Sequence, residues 1–265
     1  MTIDPANWEV ALAAVFLIAN AVLSLLLDLG FVRQMSIAAI RMVIQLSLVG
    51  LVLEVLITSQ SPGLTALAAT VMVAVAGYEI MSRQEHAIRG IWGYGLGAGT
   101  MLFGAALVMM FALNVVIRQD PWYDPRYAIP MFGMMLGNAM TGIAVGLNAL
   151  SNDLLTRRAA IEAHLLTGAT RWQALAATLR RSANAGLIPI INAMAATGVV
   201  SLPGMMTGQI LAGADPSQAV RYQLLVMFLI SGATGIGLVI ALMGAALRLT
   251  DSRHRIRLDR LKRGD

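Results

Sequence analysis

The chain has 265 residues, 58% of them hydrophobic and only 12% charged, with a formal charge of +5 and a mean hydropathy of +0.73. That apolar fraction is more than a water-soluble domain of this length hides in its core, so a soluble globular fold is excluded and an integral membrane protein follows. Cysteine is absent, which excludes a disulfide framework and a thiolate metal site.

The apolar blocks are continuous rather than alternating, so they read as helices of about 20 residues crossing roughly 30 Å of hydrocarbon, not as barrel strands. The expected fold is an all-α integral membrane protein, one transmembrane domain over residues 1–265, with about seven spans. They fall at 8–27, 36–57, 64–80, 91–117, 130–150, 184–211 and 220–247. Asp4 and Glu9 flank the first span with no basic residue, and its apolar run is too long for a signal-peptide core. It is therefore expected to remain as a helix.

The second span carries Arg41 and Gln45, placed to snorkel from one end, and Glu54 in its opposite third. A carboxylate inside the membrane is costly and faces a partner or water. Two readings follow for Glu54: an oxygen donor for a hard or borderline cation, or an ion pair with a loop arginine, Arg118 or Arg126. In the third span Glu79 is spaced to pair with Arg83.

The fifth and sixth spans nearly repeat a hexapeptide: GMMLGN, Gly133 to Asn138, and GMMTGQ, Gly204 to Gln209. Both stretches are expected in the outer halves of their spans. Gly133 and Gly137, and Gly204 and Gly208, have the i, i+4 spacing that lets helices approach closely in lipid. Met134, Met135, Met205 and Met206 are flexible and polarisable, suited to a pliable gate; thioethers prefer soft ions such as Cu(I), so a ligand role comes second. Pro203 removes a backbone donor and disfavours helix before it. It marks either a simple kink or a break exposing carbonyls to a cavity, with Asn138 and Gln209 as candidate oxygen donors or interhelical hydrogen-bonding groups.

Residues 151–183 form the longest polar connection. Ser151 to Asp153 offer capping side chains, 159–166 reads as a short amphipathic helix, Gly168 as its left-handed stop, and Thr170 as the N-cap of a second helix from Arg171 to about Arg181. The basic tail, 248–265, reads as a topology signal with a solvated face, with anionic lipid as a further contact. Fifteen of the 19 Lys and Arg residues fall on the side of this connection and the tail, only Arg118, Arg126 and Arg221 opposite, and Arg41 inside a span. By the positive-inside bias the amino terminus is outside and the carboxyl terminus cytoplasmic. His86, His164 and His254 all lie in cytoplasmic segments and read as surface histidines. No aromatic-basic interleaving points to nucleic acid.

EAHLLTGA, with Glu162, Ala163, Gly168 and Ala169, resembles the coupling-helix motif of ABC transporter permeases, in which Glu-Ala is followed six residues after the Glu by Gly. His164 stands where that family usually has a third small residue, and the Leu-Ile-Pro at Leu187 to Pro189 is displaced. Val199 to Gln223, VVSLPGMMTGQILAGADPSQAVRYQ, together with GMMLGNAM, resembles the iron export permease family, which also includes plant aluminium-tolerance proteins. The resemblance implies a bacterial inner-membrane permease that pairs with a second copy of itself. It also implies docking of a cytoplasmic ABC ATPase through Glu162, Ala163, Gly168 and Ala169, and export of a metal cation such as iron. The chain has no Gly-x-x-x-x-Gly-Lys-Ser/Thr phosphate loop, so no cofactor is expected on it, and ATP and Mg belong to the partner subunit. A permease for an organic solute and an ATP-independent carrier are the alternatives.

Overall fold

The computed structural model describes residues 6–118 and 121–262. Asp4, Arg263 and the last two residues of the tail lie outside them. Among the described residues every regular element is helical. Six helices are long and apolar enough to cross a membrane: Trp8–Leu26, Val32–Ser59, Pro62–Ser82, Ile91–Val116, Pro125–Thr156 and Pro216–Arg248. The chain divides into two compact units, Met1–Ser59 and Gln60–Asp265.

The first unit is a helical hairpin. α1 (Asn7–Ala13) runs into α2 (Val15–Leu26), and α3 (Val32–Ser59) returns along α2. Glu9, within the first turn, accepts from the Ala6 N–H at 2.8 Å and so satisfies an orphan donor of the helix start. At the turn the buried Ser24 accepts the Leu29 N–H on its carbonyl at 2.9 Å and the Phe31 N–H on its hydroxyl at 3.3 Å. Most other side chains of α2 and α3, such as Phe16, Leu25 and Leu46, are exposed and apolar, which is the surface a helix presents to hydrocarbon.

The second unit contains α4 (Pro62–Ser82), α5 (Ile91–Phe111) ending in a π-helical turn at Ala112–Ile117, α6 (Pro125–Thr156), α7 (Arg158–Leu166), α8 (Arg171–Ala196), α9 (Gly204–Leu211) and α10 (Pro216–Arg248). α6 is central, packing on α4, α5, α8 and α10. Met131, Met135, Ile143, Leu150 and Leu154 line its fully buried face. Small residues set the approach of its neighbours. A methyl added to Gly142 would stand 2.7 Å from the Gly186 carbonyl oxygen of α8, and one added to Gly186 would stand 2.6 Å from the Gly142 carbonyl oxygen. α5 meets α10 in the same way: a methyl added to Gly104 would stand 3.1 Å from the Gly237 backbone. Helices in lipid gain little from apolar burial against each other, so this close backbone contact carries much of their association.

Three boundaries differ from the sequence reading. Ser151 to Asp153 do not cap a new helix: α6 continues to Thr156, with Ser151 buried and Asp153 holding Arg181 at 2.7 Å. The helix that begins at Arg171 does not end near Arg181 but runs on to Ala196, because its polar groups are satisfied in place. Ser182 donates to the Thr178 carbonyl at 2.9 Å, and Arg181 reaches Asp153. The expected sixth span, 184–211, is therefore the far part of α8, a non-helical stretch at 197–203, and the short α9; the six long apolar helices among the described residues are close to the about seven spans expected.

Candidate functional site

The corner between α7 and α8 is built by local rules. α7 is closed by a Schellman motif: the Gly168 N–H reaches the Leu165 carbonyl at 3.1 Å and the Ala169 N–H reaches the His164 carbonyl at 3.3 Å. Gly168 sits at φ +88°, a left-handed position that a side chain makes costly. Two residues on, Thr170 and Gln173 form a reciprocal capping box that starts α8; the Gln173 side chain accepts from the Thr170 N–H at 2.9 Å. Glu162 is bound to Arg158 one turn earlier at 2.7 Å, with both side chains about half exposed. Ala163 and Leu166 are exposed, and Ile161 is buried beneath them. The corner is thus a rigid projection with a short apolar face and one paired carboxylate.

It is braced from two sides. Arg181 and Arg157 share Asp153 of α6, at 2.7 and 3.5 Å. Arg171 at the start of α8 donates to Thr250 Oγ1 and to His254 Nδ1, both at 3.1 Å. His254 is therefore an acceptor inside this brace rather than a bare surface histidine.

The tail, read from sequence as a solvated face, is folded as far as Lys262. Asp251 closes a hairpin by accepting from the Arg253 and Arg255 N–H groups, each at 2.9 Å, and the hydrogen bond from the Arg255 backbone holds its carboxyl below the usual range. Arg257 grips both oxygens of Asp259 at 2.9 Å and holds that carboxyl down to about 2. The chain then pairs with the α4–α5 loop: the Arg89 N–H donates to the Arg260 carbonyl and the Lys262 N–H to the Ala87 carbonyl, both at 2.8 Å.

The two methionine repeats have different surroundings. Met135 is fully buried and Met134 partly buried in the core of α6, while Asn138 Nδ2 donates to the Met134 carbonyl at 2.9 Å. On α9, Met206 is buried, Met205 partly so, and Gln209 half-exposed. α9 lies along α10 and makes no extensive contact with α6. A methyl added at Gly137, Gly204 or Gly208 would meet nothing within 4 Å, and one at Gly133 would meet only the tip of Met72. Within one chain, α6 and α8 are brought together by Gly142, Gly146 and Gly186 instead. Pro203 is the N-cap of α9 in extended conformation, and the helix is interrupted over 197–203.

Glu54 belongs to the first unit, where it is exposed on α3. Glu79 pairs with Arg83 at 3.5 Å, as its spacing predicts. Among the described residues no three His, Asp or Glu side chains gather to hold a metal ion. At the end of the second unit away from the tail, an apolar cavity of about 230 Å³ lies between α4, α5 and α6, with Thr65, Met109 and Phe132 in its wall.

Residues outside the sequence reading also emerge. Gln223 of α10 is buried with its carbonyl oxygen unpartnered, and Thr234, three turns along the same face, has an unpartnered hydroxyl. Buried polar atoms without partners are costly in a membrane interior. Gln223 closes the signature stretch Val199 to Gln223, which was the available signal for it.

Compared with known proteins, residues 7–249 match the model of an uncharacterised protein family, UPF0014. The rice UPF0014 membrane protein STAR2 is 39% identical over 86% of this chain and 79% of its own length. The Arabidopsis protein ALUMINUM SENSITIVE 3 is 35% identical over 84% and 80%. A protein of Escherichia coli named probable iron export permease protein FetB is 30% identical over 97% of both chains. No solved structure matches the chain. An all-α, multi-pass architecture and a family pattern that runs from α1 to the end of α10 agree, and the chain belongs to the UPF0014 family of membrane proteins.

Proposed function

We propose that this chain is the membrane permease subunit of an ABC transporter that exports a metal cation such as iron, driven by ATP that a separate cytoplasmic subunit hydrolyses. The observation that carries the reading is the α7–α8 corner: a short helix ended by a left-handed glycine, capped on both sides of the turn and braced to α6 and the tail. Such a rigid projection can transmit a push from a soluble partner to α8, whereas a loose loop would absorb it. Similarity to a protein named an iron export permease supports the substrate class.

In this reading the corner points to the cytoplasm of a bacterial cell, the amino terminus lies outside the inner membrane, and two copies assemble with two ATPase subunits. Glu162, Ala163, Gly168 and Ala169 form the docking surface. Met134, Met135, Met205 and Met206 are a deformable outer gate. Asn138, Gln209 and Glu54 are oxygen donors along the path, to which Gln223 is added for its unpartnered buried carbonyl. Since α9 lies on α10 rather than on α6, the two repeats would have to meet through a conformational change or across two copies. Co-purification with an ABC ATPase tests the docking surface directly. Wild-type chain should retain the ATPase, and Glu162→Lys should lose most of it while staying folded; equal retention by both would remove the docking role.

A second reading, export of an organic solute, is favoured by two observations: the open cavity between α4, α5 and α6 is apolar, and no three His, Asp or Glu side chains gather among the described residues. Glu54→Gln separates the two. Cation transport should fall with the loss of the carboxylate, while transport of a neutral solute should not change.

A further inference from the structure

Beside the folded tail lies a cleft of about 810 Å³ that the corner does not use. Its wall carries three basic side chains, His86 and Arg89 from the α4–α5 loop and Lys262 from the tail, above Leu155, Leu258 and Leu261. The one acidic residue there, Asp259, already accepts from Nε and Nη2 of Arg257. Among the described residues no ion pair engages Arg89 or Lys262. The basic groups are presented on a built frame, since an isolated antiparallel bridge between Ile88 and Leu261 ties the two segments of the wall together.

Two residues beyond Arg89 a different surface begins. Ile91 and Trp92 open α5 at 81% and 59% exposure, with the Arg248 guanidinium over the Trp92 ring at 5.2 Å. An exposed Trp against an Arg at a helix end marks the membrane–water boundary. From there an apolar groove of about 460 Å³ runs along α5, lined by Ile91, Trp92, Gly95, Leu96 and Gly99. Gly95 and Gly99 have the helix-packing spacing, yet a methyl on either meets nothing within 4 Å. Among the described residues of the second unit, no helix packs into the trough they leave.

We infer that the cleft at His86, Arg89 and Lys262, with the trough along Gly95 and Gly99, is a binding site for an anionic phospholipid, its phosphate on the basic wall and an acyl chain in the trough. An acidic segment of a protein partner would satisfy the charges but gives no reason for the apolar trough at hydrocarbon depth. A second copy of the chain would fill the trough but gives no reason for the unpaired cations beside it. Basic pockets at the membrane surface bind lipid headgroups for this combination of reasons. The inference is independent of what the protein transports.

The test uses the full chain, delipidated in mild detergent, with phosphatidylglycerol, phosphatidylcholine or inorganic phosphate added separately. Phosphatidylglycerol should remain bound in native mass spectra and raise the melting temperature, and the other two should do neither. The double variant Arg89→Gln, Lys262→Gln should bind phosphatidylglycerol on the order of tenfold more weakly, and Gly95→Leu should weaken it without removing a charge. Where the double variant does not fold, Lys262→Gln alone, at an exposed side chain, should still weaken binding measurably. Inorganic phosphate matching the lipid, charge variants that bind as wild type, or a Gly95→Leu chain that loses its dimer but keeps its lipid would each overturn the proposal.

Discussion

A side chain larger than hydrogen at Gly142 or Gly186 would be driven into the facing backbone carbonyl, at 2.7 and 2.6 Å. Gly186→Val should therefore cost about 1–3 kcal/mol or more and lower the folded yield and melting temperature in detergent. Gly204→Leu and Gly208→Leu, which face open space within the chain, should leave the melting temperature of a single copy unchanged. Equal damage from all three would mean that α9 packs in a way this chain alone does not display. Met205→Leu with Met206→Leu keeps volume and apolarity, so folding should survive and transport fall only several-fold if sulfur is gate material. A collapse of transport would make it a ligand. Gly168 was legible in the sequence because a helix stop followed by a Thr-x-x-Gln cap is a purely local signal. Gly142 and Gly146 have the same i, i+4 spacing as the repeats, but which pair meets a neighbour depends on the partner helix, and the sequence of one helix does not contain that.

At the level of elements, α8 shows why polar residues mislead. Arg180 and Arg181 read as the end of a short helix, with a new span beginning at Asn184, yet Asp153 on α6 and the carbonyl of Thr178 satisfy Arg181 and Ser182 inside a continuous helix. The Arg181–Asp153 pair is partly exposed and contributes up to about 1 kcal/mol, enough to position the helix but not to hold it. The tail was legible as basic but not as folded, because its pairing partner, residues 87–89, lies more than 150 residues away in the chain. Its carboxylates make its stability depend on pH in a definite direction. Asp251 and Asp259 are both held below their ordinary values, Asp259 at about 2. What they contribute is fully present above the unfolded carboxylate value, near 3.9, and is lost as pH falls through the folded values. Hydrogen-exchange protection of the tail, corrected for intrinsic rate, should therefore be the same at pH 8 and pH 5. Protection that disappears between those values would show that these carboxylates are not what holds the hairpin.

For the whole molecule, the all-α membrane class followed from composition and continuous apolar runs, and the structure keeps six of the expected spans as long helices. The expected sixth, 184–211, is divided because Thr197 to Pro203 interrupt it; Pro203, which the sequence reads as either a simple kink or a break, closes that interruption. The proposed assembly of two permeases and two ATPases has its own check: native mass spectrometry in mild detergent should give a 2:2 complex, and an active complex with one permease would contradict it. The most direct test of the central claim is ATP-dependent Fe²⁺ transport in vesicles containing the permease and its ATPase. Wild-type chain should move the ion only with ATP and the ATPase present. Glu162→Lys, which replaces a surface ion pair worth about 0.3–0.5 kcal/mol to α7 with a like-charge pair that costs about as much, should stay folded yet lose transport by roughly tenfold or more, the effect of about 1.4 kcal/mol or more of lost coupling. Transport without the ATPase, or equal ATP-driven transport by the variant, would contradict the account.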